Sequence, residues 1–166
     1  NEGTLTSVSS VVDIVEESQT NKECNSDDDC ADDQQCIANV CVTLGIPTFR
    51  LIWTGDDDLD LHVLTPAGNE IYFGNPGADS GVLDQDDVPH EDRKWVENVF
   101  FPSDGSAPPG TYTYWVVQFS QTGAADANRW ELQVLDRETV IHSESGTAED
   151  FLALGESTRY RFEYNP

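Results

Sequence analysis

Over residues 48–166, hydrophobic and polar positions alternate with a period of two, which is the pattern of half-buried β-strands. The alternation is clearest in 58–63, 130–134 and 160–164. Residues 111–119, TYTYWVVQF, form a longer run of β-branched and aromatic side chains, which also favours a strand. Turns rich in proline and glycine separate these runs. About eight short strands without a helical stretch predict an all-β domain, either a β-sandwich or a jelly roll.

The tryptophans all fall within these strand patterns. We interpret them as core residues, because large aromatic side chains dominate the interior of small β domains. The alternative is a row of exposed rings on one face that stacks against sugars. The residues in question are Trp53, Trp95, Trp115 and Trp130.

One segment of about 20 residues, from Gly74 to Lys94, shows no periodicity. Loops of this length within a compact domain are usually functional or disordered. We therefore expect a loop here that is either functional or disordered, and it is rich in carboxylates. It contains Asp79, Asp84, Asp86, Asp87, Glu91 and Asp92.

Residues 1–23 precede the first cysteine and have an ambiguous pattern. Four valines recur at the spacing of a helical stripe, yet β-branched residues favour strands. Three alternatives stay open. The first is a mobile tail, and the second is a segment that docks onto the rest of its own chain. The third is a segment that adds a strand to the sheet edge of a neighbouring copy. The valines are Val8, Val11, Val12 and Val15.

Residues 24–41 contain all of the cysteines, and the stretch between them is too polar to form a core. Zinc sites usually bring their ligands in close C-x2-4-C pairs, which are absent here, so we expect disulfides. Three connectivities are possible, and we favour the interleaved one. The predicted bonds are Cys24–Cys36 and Cys30–Cys41. Disulfides indicate an oxidising compartment outside the cytoplasm.

The charge balance restricts the partners of this chain. With 32 acidic and 8 basic residues, the formal net charge is −24. Such a surface repels nucleic acid and anionic membranes, and no stretch is apolar enough to span a bilayer. The charge also suits a soluble acidic surface or adaptation to saline surroundings. The chain begins at Asn1 and contains no methionine, which we interpret as a processed, secreted product.

Two carboxylates and an imidazole share one face of a predicted strand. Asp58, Asp60 and His62 lie two residues apart, so their side chains point the same way. Carboxylates this close repel each other, and a bound cation removes that cost. Calcium is the expected ion because it prefers six to eight hard oxygen ligands. The segment is not an EF-hand loop, since Leu61 and Ala67 stand where glycine and glutamate are needed.

A calcium site on a β scaffold gathers ligands from separate segments, and the order of segments here resembles a known family. The pieces are LIWTGDDDLDLHVLTPAGNEIYF, SGVLDQDD, WVENVFF and APPGTYTYWVVQF. Over residues 48–120 the chain resembles the YfaP-type secreted domain of bacteria, and more loosely the pre-peptidase C-terminal domains. The resemblance implies a calcium-binding β-sandwich. The ligands that it implies are Asp58, Asp60, Asp84, Asp86, Glu97 and Asn98.

His62 has two interpretations beside this site. It hydrogen-bonds an aspartate next to the ion, or it ligates a softer metal such as zinc together with Asp58 and Asp60.

The chain contains no serine-nucleophile elbow, zinc-protease helix or phosphate-binding loop. We therefore expect an extracellular, cell-surface protein without catalytic activity. Its role would be structural or adhesive, with copies assembling into a filament through the N-terminal segment. The alternatives are a module that binds polysaccharide or a surface protein, and an accessory domain of a secreted hydrolase.

Overall fold

The computed structural model describes residues 22–89, 94–121 and 129–166, and within these ranges the protein is all-β. Only two single-turn 3-10 helices interrupt the strands there, Asp27–Asp29 and Ala148–Asp150. The predicted fold class is confirmed. The N-terminal segment lies outside the described residues except for Lys22 and Glu23, so its three alternatives stay open.

The described residues contain twelve strands. In chain order they are β1 (Gln34–Ile37), β2 (Val40–Thr43), β3 (Thr48–Thr54), β4 (Asp58–Leu64), β5 (Glu70–Ile71), β6 (Gly77–Ala78), β7 (Gly81–Gln85), β8 (Trp95–Phe100), β9 (Gly110–Ser120), β10 (Arg129–Asp136), β11 (Thr139–Thr147) and β12 (Tyr160–Tyr164).

Two antiparallel sheets form a sandwich. One sheet has six strands in the order β11-β10-β3-β8-β7-β6, and the other has four in the order β12-β9-β4-β5. Their facing sides supply one hydrophobic core. The alternation predicted from the sequence explains this arrangement, since every second side chain of β3, β4 and β10 enters that core. All four tryptophans are buried. Trp53, Trp95 and Trp130 belong to the core between the sheets, as predicted, whereas Trp115 lies outside it and packs against His62 and Arg159.

The segment 74–94 differs from the expected loop. Within its described part, β6 and β7 form a hairpin, and β7 pairs with β8 to extend the six-stranded sheet. The sandwich thus has ten strands rather than about eight. The sequence pattern missed these two strands because β6 has only two residues, and because a bulge between Leu83 and Gln85 breaks the alternation of β7.

The cysteine-rich residues form a two-stranded sheet, β1-β2, that lies against the outer face of the six-stranded sheet. Its disulfides are Cys24–Cys36 and Cys30–Cys41, so the predicted connectivity is confirmed. A small second cluster of Val40, Val42 and Val96 joins this sheet to β8. The two disulfides place the folding of this protein in an oxidising compartment.

Candidate metal centre

The candidate site begins at an uncovered edge of β4. Strand β5 pairs only with Val63 and Leu64, so the first half of β4 has no strand on that side within the described residues. A side chain from the opposite sheet takes the place of a strand. The backbone N–H of Leu61 donates a hydrogen bond of 2.6 Å to Oε2 of Glu97 in β8. Glu97 alternates with the core residues Trp95 and Val99, so it points between the two sheets.

Three carboxylates converge at this edge. Asp60 of β4, Asp86 just after β7 and Glu97 of β8 each offer an oxygen atom, and these atoms lie within 4.8 Å of one another. Asp58, the first residue of β4, is near enough to Asp60 and Asp86 for their charges to interact. The cluster therefore joins three segments that are distant in the sequence and that belong to both sheets.

Two of these carboxylates are buried with an oxygen that lacks a partner. Glu97 is 1% exposed and Asp60 is 4% exposed. Among the described residues, neither Oε1 of Glu97 nor Oδ2 of Asp60 has a hydrogen-bond partner. A buried polar atom without a partner is costly, and a buried charge without one is more costly still. The arrangement therefore calls for a group that supplies positive charge.

Burial and mutual repulsion shift the pKa values of the cluster upward. Burial is the main cause for Asp60, with further contributions from the charges of Asp58 and Asp86, and it raises the pKa of Asp60 to about 7. Burial likewise raises the pKa of Glu97 well above its ordinary value, and Asp86 and Asp60 raise it further. Burial, followed by repulsion from Asp86, raises the pKa of Asp58.

A neighbouring aspartate holds Asp86 in position. The side chain of Asp87 is buried, and its Oδ2 accepts a hydrogen bond of 2.9 Å from the backbone N–H of Val96. Its Oδ1 accepts one of 2.8 Å from Nε2 of Gln85. These bonds fasten the chain on both sides of Asp86 to the six-stranded sheet. Asp86 itself is exposed, so it closes the cluster from the solvent side.

The donor set fits calcium. Asp58, Asp60, Asp86 and Glu97 provide only carboxylate oxygens, the hard ligands that calcium prefers, and water at the exposed side can complete the coordination. A softer metal such as zinc would need an imidazole or thiolate. His62 does not join the cluster. Its Nδ1 lies 2.5 Å from Oε1 of Glu70, so its partner is a glutamate rather than the expected aspartate.

Two of the predicted ligands, Asp84 and Asn98, lie elsewhere. Asp84 accepts hydrogen bonds from the backbone N–H of Thr43 at 2.7 Å and from Nδ2 of Asn98 at 2.8 Å. Asn98 also donates to the carbonyl of Thr43 and accepts from Nε of the buried Arg50. This network fastens β2 of the cysteine-rich sheet to the outer face of the sandwich.

Strand geometry explains the separation of the predicted ligands. Glu97 and Asn98 are adjacent in β8, so their side chains point to opposite faces of the sheet. Asp84 and Asp86 are two residues apart and would share a face in a regular strand. The bulge between Leu83 and Gln85 and the end of β7 place them on opposite sides instead.

The sequence offered no signal for two further contributions to the site. Asp87 looks equivalent to Asp86 in the run DQDD, and only the structure shows that it anchors the loop. The backbone N–H of Leu61 has no sequence signature at all.

Comparison of the chain with models of protein families, with curated proteins and with solved structures finds no match in any of the three. The resemblance noted from the sequence therefore stays a prediction. In the described part of the chain, no helix has the length and apolar character to cross a membrane. The carboxylate cluster is accordingly the feature of the described residues that points to a function.

Proposed function

We propose that the protein is an extracellular, non-catalytic structural or adhesive subunit, and that a calcium ion bound by Asp58, Asp60, Asp86 and Glu97 stabilises its β-sandwich. The observation that carries the proposal is the buried carboxylate of Glu97. One of its oxygens accepts the N–H of Leu61, and the other is buried without a hydrogen-bond partner among the residues that the structure describes.

The cost of the cluster without an ion supports this role. Each pKa unit corresponds to about 1.4 kcal/mol, so the raised pKa of Asp60 alone represents about 4 kcal/mol of instability when that side chain ionises. Whole domains are stable by only about 5–15 kcal/mol. A divalent ion removes this cost. It would also link the edge of β4 to β7 and β8 and so hold the two sheets together.

Secretion and a surface location follow from the same features. Two disulfides in a small polar segment suit an oxidising environment, and millimolar extracellular calcium suits a site of modest affinity. Glu97 and Asp60 are buried, which suits ligands of a small ion better than groups that contact a substrate. This arrangement favours a structural role over proton transfer.

Thermal unfolding with and without calcium tests the proposal. A ligand at 100 times its dissociation constant adds about 2.7 kcal/mol, which raises the melting temperature of a domain of this size by about 5–10 °C. We expect this shift in calcium relative to excess chelator. The control is Asp84→Asn, which alters a carboxylate outside the cluster and should keep the shift. An unchanged melting temperature in calcium would contradict the proposal.

A second candidate function is carbohydrate binding, and one surface favours it. Phe119 of β9 is 61% exposed and Phe73, which follows β5, is 43% exposed. Their ring centroids lie 5.3 Å apart. Because β4 lies between β9 and β5, this pair crosses β4 near its first residue, Asp58, which pairs with Ser120 of β9. An aromatic surface next to carboxylates can stack a sugar ring and bind its hydroxyl groups.

Retention on insoluble polysaccharides tests this second function. If the wild type is retained on a polysaccharide, we expect Phe119→Ala to abolish that retention. Leu152→Ala, which removes another exposed side chain, should leave retention unchanged. Equal retention of the wild type and Phe119→Ala would exclude the aromatic surface as the binding site.

A further inference from the structure

Both sheets end on the same side of the sandwich, at β11 and β12. Within the described ranges, β11 pairs only with β10, and β12 pairs only with β9. The two edge strands run close together without joining: the ring centroids of His142 in β11 and Phe162 in β12 lie 5.7 Å apart. This side therefore presents two unpaired strand edges with side-chain contact between them.

Strand β11 is the edge best suited to accept another strand. It has nine residues, while β5 and β6, which end the opposite sides of the sheets, have two each. Its side chains Val140 and Ile141 are both 44% exposed. Proteins usually protect long edges by charge, by bulges or by covering them, and an exposed edge is otherwise a template for pairing. In β11 a bulge lies at Ile141, where Val134 pairs with His142 and Leu135 with Val140, and the strand then continues regularly to Thr147. The shorter edge β12 carries the exposed charges Arg161 and Glu163.

A cleft with an apolar floor and an acidic rim, which includes Asp136 and Glu163, continues this edge into the sandwich. A cavity of about 180 Å³ opens between β11 and β12. Its apolar lining consists of Ile46, Pro47, Leu135, Ile141, Phe162 and Tyr164. A larger cleft of about 710 Å³ lies beside it, and Ile141 contributes to both. Side chains of an added strand would therefore find apolar contacts in addition to the backbone hydrogen bonds of β11.

We propose that β11 accepts residues 4–15 of a second copy of this chain as an added β-strand. This inference rests on the assembly role proposed above and identifies the contact that would produce it. The segment, TLTSVSSVVDIV, is rich in β-branched residues and long enough to pair with all of β11. In a strand, Val8, Val12 and Ile14 share one face, which would lie toward the cleft.

A connector of six residues separates the segment from the described part of the chain. Residues 16–21 connect the segment to Lys22, and six extended residues span about 20 Å. The segment and β11 are different surfaces of the same chain, so the contact is heterologous and can repeat from copy to copy. A repeating contact of this kind would build a filament, which suits a structural subunit.

Two full-length variants test the proposal by complementation. One, with Val12→Asp and Ile14→Asp, damages the segment and keeps the edge. The other, with Val140→Asp and Ile141→Asp, damages the edge and keeps the segment. We expect sedimentation velocity in calcium to show concentration-dependent oligomers for the wild type and monomers for each variant alone. A 1:1 mixture should form dimers, because the intact segment of one variant binds the intact edge of the other.

Controls separate this contact from a folding defect and from the ion. Leu154→Asp changes an exposed apolar residue outside β11 and should assemble like the wild type. A synthetic peptide of residues 4–17 should bind the segment variant and bind the edge variant at least tenfold more weakly. Both variants should keep the wild-type shift in melting temperature with calcium, so loss of assembly with this shift intact would implicate the contact alone.

Several results would overturn the proposal. They are a wild type that stays monomeric at high concentration, variants that assemble as well as the wild type, and a mixture that yields no dimer. A wild type that assembles without any calcium shift would instead refute the ion and leave the strand contact in place.

Discussion

At the scale of single residues, Glu97 contributes most to the proposed ion site. It is buried between two sheets at a position where a strand pattern predicts an apolar side chain, and its pKa is raised mainly by that burial. A carboxylate retained in such a place costs stability unless a cation or a proton accompanies it. The sequence could suggest Glu97 as a ligand, but nothing in it shows that this side chain reaches the backbone of β4.

Replacing Glu97 tests its role as a ligand. Glu97→Gln preserves the shape of the side chain and removes the charge, so we expect calcium affinity to fall at least tenfold. In chelator the same variant should be at least as stable as the wild type, because it no longer buries a repelled charge. Isothermal titration and urea unfolding measure the two effects. Unchanged affinity would exclude Glu97 as a ligand.

The pKa of Asp60 predicts how stability depends on pH without an ion. The pKa of Asp60 is about 7 in the folded protein, and its ordinary value is 3.8. Between pH 4 and pH 7, the Asp60 side chain is therefore mostly ionised in the unfolded chain and mostly protonated in the folded one. Stability in chelator should therefore fall across this window and level off above it. With saturating calcium, stability should not fall, because the ion binds the ionised form.

Asp60→Asn isolates this contribution from the general acidity of the chain. In chelator, we expect the variant to lose less stability between pH 4 and pH 7 than the wild type, by up to about 4 kcal/mol. Thermal or urea unfolding at each pH measures the difference. Identical slopes for both proteins would contradict the raised pKa.

At the scale of elements, the alternation of hydrophobic and polar residues predicted most strands of the sandwich. Strands in which this alternation is interrupted were not predicted. The strands around Leu61, Trp115 and Leu132 follow the expected period, and their core faces are as predicted. The bulge in β7 could not be anticipated, because the run LDQDD carries no glycine or proline to mark it. The placement of Asn98 on the outer face could have been anticipated, because adjacent residues of a strand point to opposite faces and Glu97 points inward.

The same bulge gives Asp84 a second role at the element scale, as the partner of a buried cation. Arg50 is almost fully buried, and burial lowers the pKa of its guanidinium to about 10, while the charge of Asp84 opposes this effect. Asp84 also accepts the N–H of Thr43, so it links the cysteine-rich sheet to the sandwich.

Removing this carboxylate should weaken the junction. We expect Asp84→Leu to lower the free energy of unfolding by about 3 kcal/mol, because it leaves the charge of Arg50 buried without its counter-ion. Hydrogen exchange of Val40–Thr43 should accelerate, since β2 loses an anchor. Calcium affinity should change by less than threefold. A stability loss below about 1 kcal/mol would show that Asp84 contributes little to the junction.

At the scale of the whole molecule, the net charge of −24 bears on both the carboxylate cluster and the proposed contact between copies. A chain with such an excess of carboxylates repels itself, so we expect cations to stabilise its fold and the proposed contact between copies. The disulfides stabilise the segment that has little core of its own, and the proposed ion stabilises the edge that lacks a strand. The overall composition predicted a cation partner, but only the fold shows that Asp60, Asp86 and Glu97 converge with Asp58 nearby.

A crystal structure of the protein grown in calcium, with anomalous data collected, tests the central claim most directly. We predict one strong anomalous peak at 2.3–2.6 Å from oxygens of Asp60, Asp86 and Glu97, the usual distance for calcium ligands. Oε1 of Glu97 should bind the ion while Oε2 keeps the N–H of Leu61. An ordered cluster without a peak, or with these carboxylates turned apart into solvent, would contradict the account.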